Sequence, residues 1–278
     1  MPLVPLKDLL TTARNEKRGV GAMNVIQIEH AEAIVAGAEQ AGRPVVLQIS
    51  ENTAAYHGSL APIALAALRI AEESAADVCV HLDHATRVDL VHQAVELGLP
   101  SVMFDASTLP HAENIAQTRA VAEWCHERGV TVEAELGEVG GKDGVHAPGA
   151  RTDPGEAAEY VAATGVDSLA VAVGSSHAML TRDARLDDDL IAAIAAKVAV
   201  PLVLHGSSGV PDEGLVSAVD AGMTKINIAT HLNVSMAAAV RAALEQDPAL
   251  VDPRKYLGPG RDAVTAEVAR LLSLLAGR

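Results

Sequence analysis

Short apolar runs alternate with longer alanine-rich stretches along the whole chain. Eight such runs have the length and β-branched content of buried strands: 20–25, 45–49, 78–82, 101–104, 130–135, 168–173, 202–204 and 225–228. Apolar residues at helical spacing predict helices at 6–18, 29–40, 63–74, 88–97, 112–128, 155–163, 186–197, 212–221, 232–245 and 263–275. The chain therefore repeats one strand–helix unit from end to end.

Strict alternation of strands and helices predicts parallel strands joined by helical crossovers. Eight units in 278 residues fit an α/β protein with a closed (β/α)8 TIM barrel and additional N- and C-terminal helices. A doubly wound open sheet is the alternative, and it would bind ligand at a topological switch point instead. No linker rich in Pro, Gly or Ser divides the sequence, so we expect residues 1–278 to form a single barrel domain.

Two predicted connections are longer than the others. Residues 50–60 follow the second strand, and residues 137–153 follow the fifth with the glycine-rich sequence GEVGGKDGVHAPG. Connections of this length in a compact domain are usually functional or disordered. We interpret both as loops, and the glycines of the second could act as hinges of a lid.

The formal net charge is −15, and this acidic balance argues against a nucleic-acid-binding face. Only two cysteines are present, which indicates a reducing compartment rather than a disulfide scaffold. The N-terminus lacks the features of a signal peptide, and no apolar stretch is long enough to span a membrane. The sequence thus predicts a cytoplasmic protein that binds neither nucleic acid nor membrane.

Three histidines, His84, His177 and His205, follow the third, sixth and seventh predicted strands. The carboxyl ends of barrel strands carry the chemistry, so these side chains would meet at one mouth. Three imidazoles can bind a catalytic divalent metal, and nitrogen ligands favour Zn²⁺. The alternative interpretation is three separate, solvated loop histidines. Four others lie in predicted helices or directly beside one and are interpreted as surface residues: His30, His92, His111 and His126.

Carboxylates also stand at the strand ends. Asp83 precedes His84, where it could exchange a proton with a substrate oxygen or orient a metal-bound histidine. Glu133 and Glu135 share one strand face, because side chains alternate along a strand. Glu135 could form a second or transient metal position together with Asp105.

The segments HGSSG at 205–209 and NIAT at 227–230 follow the last two strands. Barrels frequently bind phosphate with this pair of loops, through backbone N–H groups and the positive end of a helix. Helix capping by Ser and Thr is the alternative role for these residues. A metal at the same mouth favours phosphate binding.

Several longer motifs carry a family resemblance. They are HLDH at 81–84, SVMFDAS at 101–107, VEAELGEVGG at 132–141, VDSLAVAVGSSH at 166–177, PLVLHGSSG at 201–209, KINIAT at 225–230 and DPRKYL at 252–257. Together they resemble the class II, metal-dependent ketose-bisphosphate aldolases acting on fructose or tagatose 1,6-bisphosphate. The resemblance implies a cytoplasmic homodimer or homotetramer of carbohydrate metabolism, with one zinc ion per subunit and sugar phosphates as its partners.

The resemblance also implies roles for individual residues. It makes His84, His177 and His205 the zinc ligands, Asp83 the acid/base at the C4 oxygen, and Asp105 with Glu135 a second divalent or monovalent cation position. The implied substrate-binding residues are Ala178, Gly206, Ser207, Ser208, Asn227, Ile228, Ala229 and Thr230. Asn24 and Ser50, which end the first two predicted strands, are further candidates for substrate binding. The implied reaction is reversible cleavage to dihydroxyacetone phosphate and glyceraldehyde 3-phosphate.

The chain departs from the family pattern at some positions. Family members commonly carry a glutamate after the paired glycines of the strand-five loop, where this chain has Lys142 and Asp143. Asp143 is therefore the candidate for proton exchange on the triose. Ala178 replaces a glycine that often binds the triose phosphate. Ala229 resembles the tagatose branch more than the fructose branch, and a related aldolase acting on a deoxy-keto-gluconate phosphate is a further alternative.

Three other classes of protein are alternatives. A Schiff-base aldolase would need a lysine inside the barrel, and Lys225 is the only one on a predicted strand. A metal-dependent amidohydrolase would need paired histidines at the end of strand one, where residues 23–25 read Met-Asn-Val. A non-catalytic sugar-phosphate-binding barrel is the third alternative.

Overall fold

The computed structural model describes residues 3–136, 151–176, 179 and 181–277. Its eight strands pair in chain order into a closed parallel barrel, and β8 pairs with β1. The strands are β1 (Val20–Asn24), β2 (Val45–Ser50), β3 (Val78–Ala85), β4 (Ser101–Phe104), β5 (Thr131–Glu135), β6 (Ser168–Ala170), β7 (Leu202–Leu204) and β8 (Met223–Ile228). This confirms the predicted TIM barrel and excludes the open sheet.

Helices alternate with the strands and precede and follow the barrel. They are α1 (Leu6–Asn15), α2 (Ile28–Ala41), α3 (Glu51–His57), α4 (Ala61–Glu73), α5 (Val88–Glu96), α6 (His111–His126), α7 (Pro154–Thr164), α8 (Asp188–Lys197), α9 (Asp212–Ala221), α10 (Thr230–Gln246) and α11 (Pro253–Leu275). A single 3₁₀ turn, Ser207–Gly209, follows β7. Within the described segments, no helix combines the length and the apolar character needed to cross a bilayer.

The structure corrects the predicted loop at 50–60, because most of it is helical. The Ser50 hydroxyl accepts a hydrogen bond from the Thr53 N–H at 3.2 Å and so caps α3. Gly58 ends the helix at φ 74°, in the left-handed region that favours glycine. A seven-residue helix spans too few turns to show a clear apolar period, so the pattern alone did not identify it.

Two further expectations were wrong. His30 is 3% exposed rather than a surface residue, since α2 is covered by neighbouring helices and has little polar face. The last helix begins at Pro253, well before the predicted start at 263. The Asp252 side chain accepts a hydrogen bond from the Arg254 N–H, and proline is tolerated in the first turn.

Helix α11 lies over the seam between β1 and β8, where the first strand meets the last. Two glycines allow its close approach. A Cβ on Gly21 would lie 2.7 Å from Leu272 Cδ2, and one on Gly37 would lie 2.7 Å from Val268 Cγ1. The Gly19 N–H also donates to the Leu275 carbonyl at 2.8 Å. The end of the chain thus covers the place where the barrel closes.

A buried polar network holds the carboxyl end of β5. Asn114 of α6 donates through Nδ2 to the Glu135 carbonyl at 3.2 Å. The Asn114 amide oxygen accepts from the Tyr160 hydroxyl at 2.6 Å and from Thr118 at 3.0 Å. These bonds fix the orientation of the amide, so α6 and α7 together position the backbone of Glu135.

The neighbouring strand β6 has a similar anchor just beyond its end. The Thr152 N–H donates to the Ala172 carbonyl at 3.0 Å, and the Thr152 hydroxyl accepts from the Ala172 N–H at 2.8 Å. This pair of bonds ties the backbone that precedes α7 to the segment that follows β6.

We predict that Tyr160→Phe lowers the free energy of unfolding by about 1–2 kcal/mol, because a buried hydrogen bond to Asn114 is lost. Urea denaturation measures the change. Tyr56→Phe is the matched control, since Tyr56 is 77% exposed and its substitution should change the free energy of unfolding by less than about 0.5 kcal/mol. Equal effects of the two substitutions would contradict the role given to the buried hydroxyl.

Candidate active site

One pocket lies at the carboxyl ends of the strands, with a volume of ≈ 570 Å³. Strand ends, the first turn of α3 and the loops after β3, β4, β7 and β8 line it. The lining residues are Asn24, Gln48, Ser50, Glu51, Asn52, Asp83, His84, Thr86, Asp105, Gly206, Ser208, Asn227, Ala229 and Thr230. Ten of these were predicted as site residues from the sequence, so the structure brings most of the described candidates to one mouth.

A β-bulge at the end of β3 presents Asp83 and His84 to the same pocket. The pairing with β4 shifts register between Leu82 and Ala85, which gives β3 one extra residue there. The backbone of His84 adopts φ 49°, a left-handed conformation that is uncommon for residues other than glycine. Consecutive residues of a regular strand point to opposite faces, and the bulge removes that constraint. Both side chains therefore contribute to one site.

The imidazole of His84 lies between His205 and Asp105. Its ring centroid is 4.6 Å from that of His205, and its Nδ1 is 2.7 Å from Asp105 Oδ2. Asp105 also accepts from the Ser107 N–H and hydroxyl, at 3.1 and 2.6 Å. Burial alone would raise the pKa of Asp105, but the hydrogen bonds from His84 and Ser107 outweigh it and hold that pKa well below its usual range. Asp105 is thus a carboxylate.

His205 is fully buried between two glutamates of β5. Its Nε2 is 3.0 Å from Glu133 Oε1, and its Nδ1 is 3.1 Å from Glu135 Oε2. Burial opposes the charged imidazole, but hydrogen bonds and the charges of Glu133 and Glu135 raise the pKa of His205 to about 10. The ring is therefore fixed by a carboxylate on each side.

Asp83 is 2% exposed and is held by amides from the first two strands. Asn24 Nδ2 donates to Asp83 Oδ2 at 3.4 Å, and Gln48 Nε2 donates to Asn24 Oδ1 at 2.7 Å. Burial would raise the pKa of Asp83, but the positive charge available on His84, Lys225 and His205 lowers it overall. Asp83 is thus an ionised carboxylate in a buried position.

Two sets of side chains in the described segments could hold a cation, Asp83–His84–His205 and His84–Asp105–Glu135. One donor atom from each member lies within 4.8 Å of the others in its set. The donors fit a divalent metal, because imidazole nitrogens and ionised carboxylates are combined and each imidazole is oriented by a carboxylate. The predicted ligand His177 lies outside the described residues, as do Ala178 and Asp143.

The loops after β7 and β8 face the same pocket. Gly206 adopts φ 65°, and the Ser208 hydroxyl accepts from the N–H groups of Ala229 and His231 at 3.3 Å each. Thr230 begins α10, whose N-terminal end carries a positive partial charge. Ser208 thus has the capping role that was the alternative to phosphate binding, and the positive end of α10, with Thr230 in the pocket lining, is the feature that could attract an anion.

Two predicted substrate-binding residues, Ser207 and Ile228, lie outside the pocket lining. The Ser207 hydroxyl is buried and donates to the Asn227 carbonyl. Ile228 is 2% exposed because strand alternation turns it toward the hydrophobic core. The 3₁₀ turn decides where Ser207 points, and the alternation of side chains along β8 decides where Ile228 points. A short Gly-Ser motif reveals neither orientation.

Some lining residues were missed in the sequence. Gln48 interrupts an apolar strand, and a polar residue at such a position was the available signal. Glu51 and Asn52 belong to α3, which the pattern does not predict, and Thr86 follows the bulge at the end of β3. Lys225 was the candidate Schiff-base nucleophile. Its ammonium group is instead fully buried outside the lining and pairs with Glu133 at 2.9 Å, which does not suit a nucleophile that must reach substrate.

A closed barrel with metal donors and anion-binding loops at its mouth defines a class of metal-dependent barrel enzymes. A family model described as fructose-bisphosphate aldolase class-II matches residues 4–277. Fructose-bisphosphate aldolase of Geobacillus stearothermophilus is 40% identical over 272 residues, covering 96% of this chain and 95% of the relative. The crystal structure of the YdjI aldolase from Escherichia coli K12 aligns with TM-score 0.86 and 30% identity, covering 99% of this chain and 98% of that one.

A fructose-bisphosphate aldolase of Staphylococcus aureus (strain Mu50 / ATCC 700699) is similar too, at 39% identity over 276 residues, covering 96% of this chain and 95% of the relative. The chain belongs to the class II fructose-bisphosphate aldolase family, whose members are metal-dependent carbon–carbon lyases. The family resemblance drawn from the motifs is confirmed.

We predict that His84→Ala and His205→Ala each weaken the binding of a divalent metal by more than about 100-fold. Loss of a residue that only hydrogen-bonds a metal ligand costs roughly 10–100-fold in affinity, and loss of the ligand itself should cost more. The reason is that each substitution removes a donor nitrogen from the set. Metal content after dialysis, measured by plasma emission spectrometry, checks this. His92→Ala is the control, since His92 stacks on Trp124 on the outside of the barrel. Full metal retention by His205→Ala would show that this residue is not a ligand.

Proposed function

We propose that the protein catalyses reversible aldol cleavage of a ketose 1,6-bisphosphate, fructose or tagatose, to dihydroxyacetone phosphate and glyceraldehyde 3-phosphate. The observation that carries this proposal is the ionised, buried carboxylate of Asp83 in the same donor set as His84 and His205. The positive N-terminal end of α10, with Thr230 in the pocket lining, supports binding of an anionic phosphate at the same mouth.

The proposed cofactor is Zn²⁺, held by His84 and His205 together with His177. When bound, the cation would polarise the ketone and stabilise the negative charge that develops on the triose as the carbon–carbon bond breaks. Asp105 and Glu135 are proposed to hold a second cation position that shares His84. The imidazoles of His84 and His205 support the choice of zinc over magnesium, which prefers oxygen ligands.

Asp83 is proposed as the acid/base of the reaction. Among the described residues, its Oδ1 has no hydrogen-bond partner, while Asn24 occupies Oδ2. The carboxylate would accept the C4 hydroxyl proton as the C3–C4 bond breaks and return it during condensation. The pairing of Gln48 with Asn24 would keep the carboxylate in one orientation throughout.

The phosphate and hydroxyl groups of the triose are proposed to bind Gly206, Ser208, Asn227, Ala229 and Thr230. All five line the pocket together with Asn24 and Ser50, which end the neighbouring strands β1 and β2. Fixing the phosphate there would align the reacting carbons with Asp83. Ala178 is a further proposed backbone contact and Asp143 the proposed group for proton exchange on the triose. Both stay sequence-based predictions.

Several finer points are part of the same proposal. The Geobacillus and Staphylococcus relatives, named fructose-bisphosphate aldolases, favour fructose 1,6-bisphosphate and a place in glycolysis. The neighbouring YdjI structure is named an aldolase without a sugar, so an aldolase for another sugar phosphate is the second candidate. A single catalytic domain, a homodimer or homotetramer, and a cytoplasmic location stay predictions of the sequence.

We predict that Asp83→Asn lowers kcat by about 10²–10⁴-fold, because the amide cannot accept the C4 proton. Coupled detection of dihydroxyacetone phosphate measures turnover, and metal content is determined on the same preparation. Asp220→Asn, on the exposed face of α9, is the control and should leave kcat unchanged. An unchanged kcat in the metal-loaded Asp83 variant would refute the acid/base role.

We predict that chelation abolishes cleavage of both bisphosphates and that added Zn²⁺ restores it. Fructose and tagatose 1,6-bisphosphates are assayed side by side, with and without chelator. Borohydride in the presence of substrate should leave the activity intact, since the buried Lys225 forms no Schiff base. Cleavage that survives complete metal removal would overturn the mechanism. Tight triose-phosphate binding without turnover or proton exchange would indicate a binding protein.

A further inference from the structure

A fully buried charged cluster lies inside the barrel beneath the pocket. It consists of Glu133 on β5, Lys225 on β8 and His81 on β3, each 0% exposed. None of the three lines the pocket, so the proposed reaction gives them no contact with substrate. A buried ion pair is weak evidence for stability, because desolvation of two charges costs about as much as their attraction returns. Stabilisation of the fold alone therefore does not explain the cluster.

Glu133 connects this cluster to the site. Its Oε1 lies 3.0 Å from His205 Nε2, and its Oε2 lies 2.9 Å from Lys225 Nζ. His81 Nε2 is 3.9 Å from the same Oε2, while His81 Nδ1 is 2.8 Å from the Ser101 hydroxyl. Burial, together with the charge of Lys225, lowers the pKa of His81 to about 3, so Lys225 supplies the positive charge opposite Glu133.

The two nitrogens of His205 face different groups. Nε2 lies 3.0 Å from Glu133 Oε1 in the buried cluster, and Nδ1 lies 3.1 Å from Glu135 Oε2, which belongs to one of the two metal-donor sets. A ring nitrogen that binds a metal must give up its proton, and the other nitrogen then keeps the remaining one. Because Glu133 accepts from Nε2, its position would keep that proton on Nε2 and present Nδ1 to the metal site.

We propose that Glu133, held in place by Lys225, is a positioning residue that fixes the ring orientation and the tautomer of His205 for metal binding. This proposal rests on the proposed function, in which His205 is a metal ligand. Lys225 acts through Glu133, since its ion pair keeps the carboxylate from turning toward His81 or toward the metal donors. The lysine inside this barrel thus supports a metal site instead of forming a covalent intermediate.

The test compares metal affinity and metal environment in Glu133→Gln, in Lys225→Met and in the double variant. The double variant removes both charges with side chains of similar size and avoids leaving one buried charge unpaired. Co²⁺ is the probe, because its visible absorption reports coordination geometry independently of turnover. Competition with a chromophoric chelator gives the affinity. Ser101→Ala is the control, since it removes a buried partner of His81 without touching His205.

We expect Glu133→Gln and the double variant to bind Co²⁺ about 10–100-fold more weakly, with a shifted absorption spectrum, and Ser101→Ala to match the unaltered protein within about twofold. An unchanged affinity and spectrum in the double variant would overturn the proposal. So would a double variant that fails to fold without metal, because the cluster would then serve the fold. If His205→Ala itself keeps the metal, the proposed function fails, which is a distinct result.

Discussion

The pairing of β8 with β1 is the contact on which the site depends, because it turns a row of strand ends into a ring. Asn24 at the end of β1 and Asn227 on β8 then line the same pocket from neighbouring strands. Helix α11 covers this seam, and Gly21 and Gly37 allow it to approach closely. Residues from every part of the sequence can meet at one mouth only while that seam stays closed.

Inside the ring, the arrangement of charge decides what the side chains can do. The chain is strongly acidic, yet the carboxylates at the mouth are each matched by an imidazole, an amide or a buried ammonium group. Asp105 and Glu133 each hold one imidazole, and Asn24 holds Asp83. Burying several ionised carboxylates without partners would cost much free energy. The imidazole, amide and ammonium partners offset this cost and keep the carboxylates ionised where a cation is to bind.

Much of the fold and part of the site follow from the sequence. Apolar runs located all eight strands, and polar residues at their ends located His84, His205 and Asp105, since both signals are local. The bulge that directs Asp83 and His84 into one pocket arises from the way β3 pairs with β4. The sequence of β3 alone therefore does not reveal it. The burial of His30 depends on packing between distant helices. The partnership of Glu133 with Lys225 likewise needs the coordinates, because they meet only across the barrel interior.

The fixed backbone on both sides of residues 137–150 has a consequence for how related chains can differ. Asn114 holds the carbonyl of Glu135 before that stretch, and Ala172 holds Thr152 after it. The bonds that keep β5 and β6 in place thus lie outside residues 137–150. Related chains can therefore differ in sequence or length within this stretch while these bonds, and the register of the two strands, are retained during divergence.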